Sequence, residues 1–180
     1  MYRRRRPISG IELFLLLAGC VFFICLPFYV TGKFPQFIAE VKIHLNAQLP
    51  ADKQGYIALA QEDARASGIP ADLFVRQINQ ESGFNPTDLS PAGAEGIAQF
   101  MPDTAAGLGI DPWNPVDALQ GAAQLMSHYQ HQYDGDYAKA LAAYNGGSGT
   151  LQYCLTTYGS QWFSCESAQT QAYIQKIISG

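Results

Sequence analysis

The chain has 180 residues, 48% hydrophobic and 14% charged, with 11 Lys and Arg against 15 Asp and Glu for a formal net charge of −4. That length suffices for one domain with a real core plus one accessory segment. Past the first 30 residues, seven basic side chains face fourteen acidic ones, a balance near −7 that opposes nucleic-acid binding.

The accessory segment comes first. Arg3, Arg4, Arg5 and Arg6 precede a nearly unbroken apolar run from Ile11 to Val30, interrupted only by Glu12 and Pro27. About twenty apolar residues cross a bilayer as a helix, and Glu12 sits at the end, within reach of the head groups. Residues 1–31 therefore read as a basic cytoplasmic N-terminus and one transmembrane helix. The four arginines before the run, against Lys33 after it, orient the remainder to the exported side. A cleaved signal peptide fits poorly, because residues 21–26 continue the apolar run. Leu17-Ala18-Gly19-Cys20 resembles a bacterial lipobox, so a lipoprotein anchored at Cys20 stands as the alternative. Either way the chain is expected at a bacterial cell membrane.

Residues 32–51 form a connector. Phe34, Phe37, Ile38, Val41 and Leu45 recur at helical spacing opposite Glu40, Lys42 and His44, which predicts a short amphipathic helix docked on the domain or lying along the membrane. Leu49-Pro50-Ala51-Asp52 breaks it, and a domain spanning 52–180 begins.

That domain reads as all-α. Lys53 to Ser67 forms a helix with Tyr56, Leu59, Ala60 and Ala64 on one side, closed by Gly68. Pro70 opens a second helix from Ala71 to Ser82, whose Phe74, Gln77, Ile78 and Glu81 share an inward stripe. Phe84-Asn85-Pro86 stops it, and Ser90-Pro91-Ala92-Gly93-Ala94 makes a turn-rich loop. Asp103 is the expected cap of a short helix through Leu108. Asn114-Pro115 starts a helix carrying Leu119, Ala122, Met126, Tyr129 and Tyr133, and Asp136 starts another that ends at Asn145-Gly146. A last helix is expected from Glu166 to Ile178, with Tyr173, Ile174 and Ile177 inward. No alternating strand run appears.

Glu81 is the residue with chemical promise. A carboxyl on an apolar stripe is hard to ionise, so it can hold a proton near neutral pH and give it to a leaving group. The competing reading is a solvent-facing carboxylate at the helix end. Candidates for a second acid are Asp88, Glu95 and Asp103, each with a structural reading as turn residue, loop charge or N-cap. His128 and His131 lack a His-Glu-x-x-His pattern or a carboxylate partner at ligand spacing, so no metal or other cofactor is expected. No Gly-x-Ser-x-Gly elbow or Walker-type loop is present. Cys154 and Cys165 bracket residues 155–164 in the exported part; a disulfide closing that loop suits an oxidising compartment, and two buried free thiols are the alternative.

Glu81-Ser82-Gly83, Gly96-Ile97-Ala98-Gln99 and Ala143-Tyr144-Asn145, in that order and with Ser90 to Ala94 between the first two, resemble the three motifs of the SLT-type lytic transglycosylases, relatives of goose-type lysozyme. The resemblance covers Tyr56 to Ile178 and implies a lysozyme-like helical domain with a substrate cleft. It implies that Glu81 acts first as acid and then as base. The bond cut would be the β-1,4 link between N-acetylmuramic acid and N-acetylglucosamine in peptidoglycan strands, leaving a 1,6-anhydromuramyl end. Gln99 would contact the sugar beside the cut, Tyr144 would lie near the acid, and Asn145 would help fix the cleft. Ser90 matches a serine suggested to orient the acetamido group or reactive hydroxyl, and Tyr173 matches a tyrosine of the closing helix. Two departures stand out: Ala98 replaces the common methionine, and Gln169 stands where the family often has glutamate. A muramidase on the same fold and a non-catalytic glycan-binding module are the competing functions. The expected settings for a small tethered form are a secretion or conjugation complex, or a machine by which a phage enters the cell.

Overall fold

The structure, a computed structural model, describes residues 52–180. The expected membrane span from Ile11 to Val30, the alternative anchor at Cys20 and the connector 32–51 lie outside the described residues. Among the described residues no helix is long and apolar enough to cross a membrane.

The fold is all-helical, as the periodicities predict. Helix α1 (Lys53–Ala66) is capped by Asp52, whose side chain accepts from the Gly55 amide, and buries Ala60 and Ala64. It closes through Gly68, which adopts φ +72°, while the Ile69 amide returns to the Ala64 carbonyl, a left-handed turn open to glycine without a Cβ penalty. Helix α2 (Ala71–Ser82) follows at once and ends on left-handed Gly83, the same bounds its stripe predicts. Phe74, Gln77 and Ile78 are fully buried. Each of the two apolar side chains contributes roughly 1.5–3 kcal/mol by leaving water.

A loop then leads to α3 (Pro102–Leu108), and α4 (Pro115–Gln132) begins where Asn114 accepts from the Val116 and Asp117 amides. Helix α5 (Tyr137–Ala142), capped by Asp136, runs into a π-helical turn (Ala143–Gly147) and on into α6 (Ser148–Tyr158). A 3-10 turn (Gly159–Gln161) and the four-residue α7 (Trp162–Cys165) lead to α8 (Ala168–Ser179), capped by Ser167. The core gathers the inward faces of α1, α2, α4, α5 and α8, with alanines at close approaches and Leu119, Met126 and Leu141 filling the middle. Pairing of strand type is limited, among the described residues, to two isolated bridges, Leu89 with Glu95 and Glu95 with Phe100.

Four expectations need correction. Asp103 does not cap α3: Pro102 sits in the first turn, Met101 occupies the cap position with no side-chain bond, and Asp103 lies one residue inside, beside the positive helix end. The helix begun at Asp136 does not stop at Asn145-Gly146 but widens into the π-turn and continues. Residues 155–164 are mostly helical rather than loop. Glu166 precedes α8 instead of opening it, because Ser167 caps the helix by accepting from the Thr170 amide. Cys154 and Cys165 are disulfide-bonded, with Cα atoms 5.6 Å apart, and the bond ties α6 to the segment leading into α8.

Candidate active site

Helix α2 delivers Glu81 to a groove of about 610 Å³, within the usual size range of ligand clefts. All six residues singled out from the sequence for this site, Glu81, Ser90, Gln99, Tyr144, Asn145 and Tyr173, line that groove. Three separate chain regions supply them: the end of α2 with the following loop, the π-turn, and α8.

Glu81 is half-buried, and its Oε1 accepts a 2.5 Å hydrogen bond from the Tyr173 hydroxyl on α8. Burial pushes its pKa from 4.5 up to about 7, against the smaller opposing effect of the Tyr173 hydrogen bond. The carboxyl is thus poised to hold or release a proton at neutral pH. Burial also holds both phenols, Tyr173 and Tyr144, protonated far above the usual tyrosine range, with the charge of Glu81 adding to it. They act as neutral donors beside the acid. Among the described residues Glu81 is the only carboxylate lining the groove; Asp88, Glu95 and Asp103 are not in its lining.

The groove wall at Gln99 is backed by the buried residues 96–98, and this segment is pinned from two sides. Ser82 Oγ donates to the Ile97 carbonyl at 2.7 Å, and the Tyr144 hydroxyl donates to the Ala98 carbonyl at 2.7 Å. Tyr144 therefore acts on the wall and makes no hydrogen bond to the acid. Gly96 is forced: it has φ +73°, and a Cβ there would lie 1.8 Å from the Pro112 carbonyl oxygen. Gln99 adopts φ +53° without being glycine, and its side-chain amide bridges to the Gly96 carbonyl at 2.9 Å and the Asp88 carbonyl at 3.3 Å. A left-handed non-glycine residue held by its own side chain marks a shape maintained for use. Ser90 is embedded in its turn, where Oγ accepts from the Ala94 amide at 2.9 Å, and the turn carries it to the groove edge.

Asn145 sits in the π-turn, a widened geometry that recurs at functional sites. That turn packs on the start of α8: a Cβ on Gly146 would meet Glu166 Oε2 at 3.0 Å and Thr170 Oγ1 at 3.2 Å. Three contributors escape sequence reasoning. Ser82 pins the wall, Gln169 lines the groove as an amide, and Glu166 is buried against the π-turn with neither carboxyl oxygen hydrogen-bonded, which raises its pKa. Ser82 had a signal in its place between Glu81 and Gly83, and Gln169 in standing where the resemblance has glutamate; Glu166 had none. Among the described residues no group of His, Cys, Asp and Glu is arranged to hold a metal ion.

An all-helical domain with a groove floored by one sheltered carboxyl defines a lysozyme-like architecture. The fold is similar to a solved structure, an inactive mutant of the lytic transglycosylase Slt from Pseudomonas aeruginosa, with TM-score 0.59 and 21% identity, over 86% of this chain and 28% of that one. Residues 58–162 match the Transglycosylase SLT domain, and the chain belongs to that family. The peptidoglycan transglycosylase gp16 of Escherichia phage T7 is 33% identical over 142 residues, covering 74% of this chain and 10% of that protein. The transglycosylase of Enterobacteria phage PRD1 is 39% identical over 107 residues, covering 59% of this chain and 35% of its own. Membrane-bound lytic murein transglycosylase D of Escherichia coli K12 is 28% identical over 124 residues, 62% of this chain and 27% of its own. The chain thus spans a tenth to about a third of these relatives.

Proposed function

We propose that the protein is a peptidoglycan lytic transglycosylase that cuts the β-1,4 bond between N-acetylmuramic acid and N-acetylglucosamine and leaves a 1,6-anhydromuramyl end. The observation that carries this reading is Glu81: one proton-holding carboxyl, alone among the carboxylates of the described residues in a groove wide enough for a glycan. Glycosidases that work with two carboxylates need the second within about 10 Å, across the scissile bond. Without one, the charge at the anomeric carbon has to be met by the substrate.

The steps follow from that constraint. Glu81 gives its proton to the glycosidic oxygen as the bond to C1 of the muramyl residue breaks. The 2-acetamido oxygen bonds to C1 and takes up the positive charge as a cyclic intermediate. The sugar beyond the cut departs with the proton, leaving Glu81 ionised. Glu81 then removes the proton of the muramyl C6 hydroxyl, and O6 displaces the acetamido oxygen at C1. The ring closes without water, and the acid is regenerated. Tyr173 orients the carboxyl throughout. Gln99, whose amide N–H groups are engaged within the wall, offers its carbonyl oxygen to a sugar hydroxyl, and Asn145 and Ser90 contact the substrate from the π-turn and the turn opposite.

Removing the Tyr173 hydroxyl has a signed consequence. Its hydrogen bond lowers the pKa of Glu81, so Tyr173→Phe moves the alkaline limb of the kcat/KM profile to higher pH. Loss of orientation lowers kcat by about tenfold or more at the same time. A limb that stayed in place or moved down would separate Tyr173 from the acid.

The apolar segment from Ile11 to Val30 holds this domain at a cell membrane, with the catalytic part on the exported side. Relatives named as membrane-bound murein transglycosylases and as phage transglycosylases suit local opening of the wall, either by a cell's own envelope machine or during phage infection. The test is mass spectrometry of peptidoglycan digested by the full chain. Anhydromuramyl products, one water lighter than their hydrolysed counterparts, are expected; reducing ends would make the protein a muramidase, and binding without cleavage a glycan-binding module.

A further inference from the structure

Among the described residues the groove contains one cation. Lys176 lines it from α8, one turn beyond Tyr173 on the same helix face, and its side chain is exposed at the rim. The residues 52–180 hold five basic against thirteen acidic side chains, so the field around the domain is negative and unfavourable to an anionic polymer. Three of the other four bases are engaged in the fold. Lys139 pairs with Asp136 at 2.8 Å, Arg76 donates to the Ile177 carbonyl at 3.1 Å, and Lys53 donates to Asn79 Oδ1 at 3.0 Å. Arg65 lies outside the groove, in the last turn of α1. Lys176 forms no salt bridge among the described residues, with Glu81 or any other carboxylate.

That separation has chemical sense. An ammonium in contact with Glu81 would favour the carboxylate and strip the acid of its proton. A lysine in the same groove but out of contact leaves the acid intact and presents its charge to whatever lies along the rim. The structural alternative is a lysine in the last turn of α8, where it complements the helix dipole and touches no substrate.

Resting on the proposed function, we propose that Lys176 is a specificity residue that receives a carboxylate carried by the muramyl residue. Muramic acid bears a lactyl group at O3, and the carboxylate has two sources: the lactyl group itself on a strand without peptide, or an acidic residue of the stem peptide where one is attached. The neutral sugar hydroxyls and acetamido groups are left to the amides of the groove, Gln80, Gln99, Asn145 and Gln169.

The experiment uses the full chain, in wild-type form and with Lys176→Gln or Lys176→Arg. Cleavage is followed on glycan strands with intact stems and on strands stripped by an amidase, which keep only the lactyl carboxylate. Binding of both strand types and of a carboxylate-free N-acetylglucosamine oligomer is measured in a Glu81→Gln background, so that affinity is read whether or not the chain cleaves. Lys176→Gln is expected to raise KM and Kd about three- to tenfold on a carboxylate-bearing strand, with kcat within about twofold, and to leave the neutral oligomer unaffected. Lys176→Arg restores most of the loss. A loss confined to stem-bearing strands assigns the stem carboxylate, and one confined to stripped strands assigns the lactyl group. No loss on either strand, or an equal loss on the neutral oligomer, would overturn the assignment to charge. Strands that bind but are not cut by the wild type defeat the catalytic reading while Kd still judges Lys176; no binding at all defeats both.

Discussion

Glu81→Gln lowers the rate of anhydromuropeptide release by at least about a thousandfold while strand binding persists. General acid–base catalysis typically supplies 10²–10⁴-fold, and here one group supplies both halves of the proton traffic, so the upper part of that range applies. Glutamine keeps the volume and can still accept from the Tyr173 hydroxyl, which separates loss of the proton from loss of the site. The same variant has a stability signature. The pKa of Glu81 is raised in the folded chain, so between 4.5 and about 7 the folded state keeps a proton that the unfolded state has lost. Stability contributed by that proton is complete below 4.5 and is lost as pH rises through 7. Above that window Glu81→Gln is expected to be more stable than the parent by on the order of 2 kcal/mol, and below it the two should melt alike. Urea titrations at the two extremes, with parent and variant side by side, remove the contribution of Asp63, whose carboxyl burial also raises, to about 6.

Gly96→Ala is expected to be the most damaging single-methyl change in the domain. The added carbon meets backbone, the Pro112 carbonyl oxygen at 1.8 Å, and the position has φ +73°, so neither a rotamer change nor a small shift relieves it. A cost of about 3 kcal/mol or more follows, lowering Tm by roughly 10 °C. If the domain accommodates the methyl, the 96–99 wall must move, which withdraws Gln99 and breaks the bonds from Ser82 and Tyr144. Thermal melts and KM together report which occurs. An unchanged Tm with an unchanged KM would show that the wall is not fixed as described.

The contrast with Gly146 is instructive. There the neighbours of an added methyl are the tips of the Glu166 and Thr170 side chains, which can give way, whereas at Gly96 the neighbour is main chain. The two glycines therefore serve different ends: one permits a backbone path, the other a close approach of the π-turn to α8.

What the sequence made legible was local. The stripe Phe74, Gln77, Ile78, Glu81 and the stop at Gly83 set both ends of α2, because amphipathic period and a left-handed cap are properties of neighbouring residues. Asn114-Pro115 announced α4 for the same reason. The motif residues could be assigned to one groove only through resemblance, since nothing local says that residue 81 and residue 173 meet. Asn145-Gly146 reads locally as the end of a helix, yet the chain continues as a π-turn packed against Glu166 and Thr170, a case of tertiary contact overriding local punctuation. Tyr144 lies near the acid as expected, but its hydroxyl donates to the Ala98 carbonyl, a contact across 46 residues that the sequence does not announce. Asp103 was displaced from its capping role by the proline before it.

Acid-then-base catalysis needs a carboxyl that keeps its proton at the pH of the cell envelope, and carboxyl-carbon NMR of the full chain, with Glu81 assigned through the Glu81→Gln variant, reads that property directly. A titration midpoint for Glu81 near 7 is the expected result. A midpoint at or below the ordinary 4.5 would mean that the side chain is ionised in the resting site, and the acid-then-base mechanism would be contradicted.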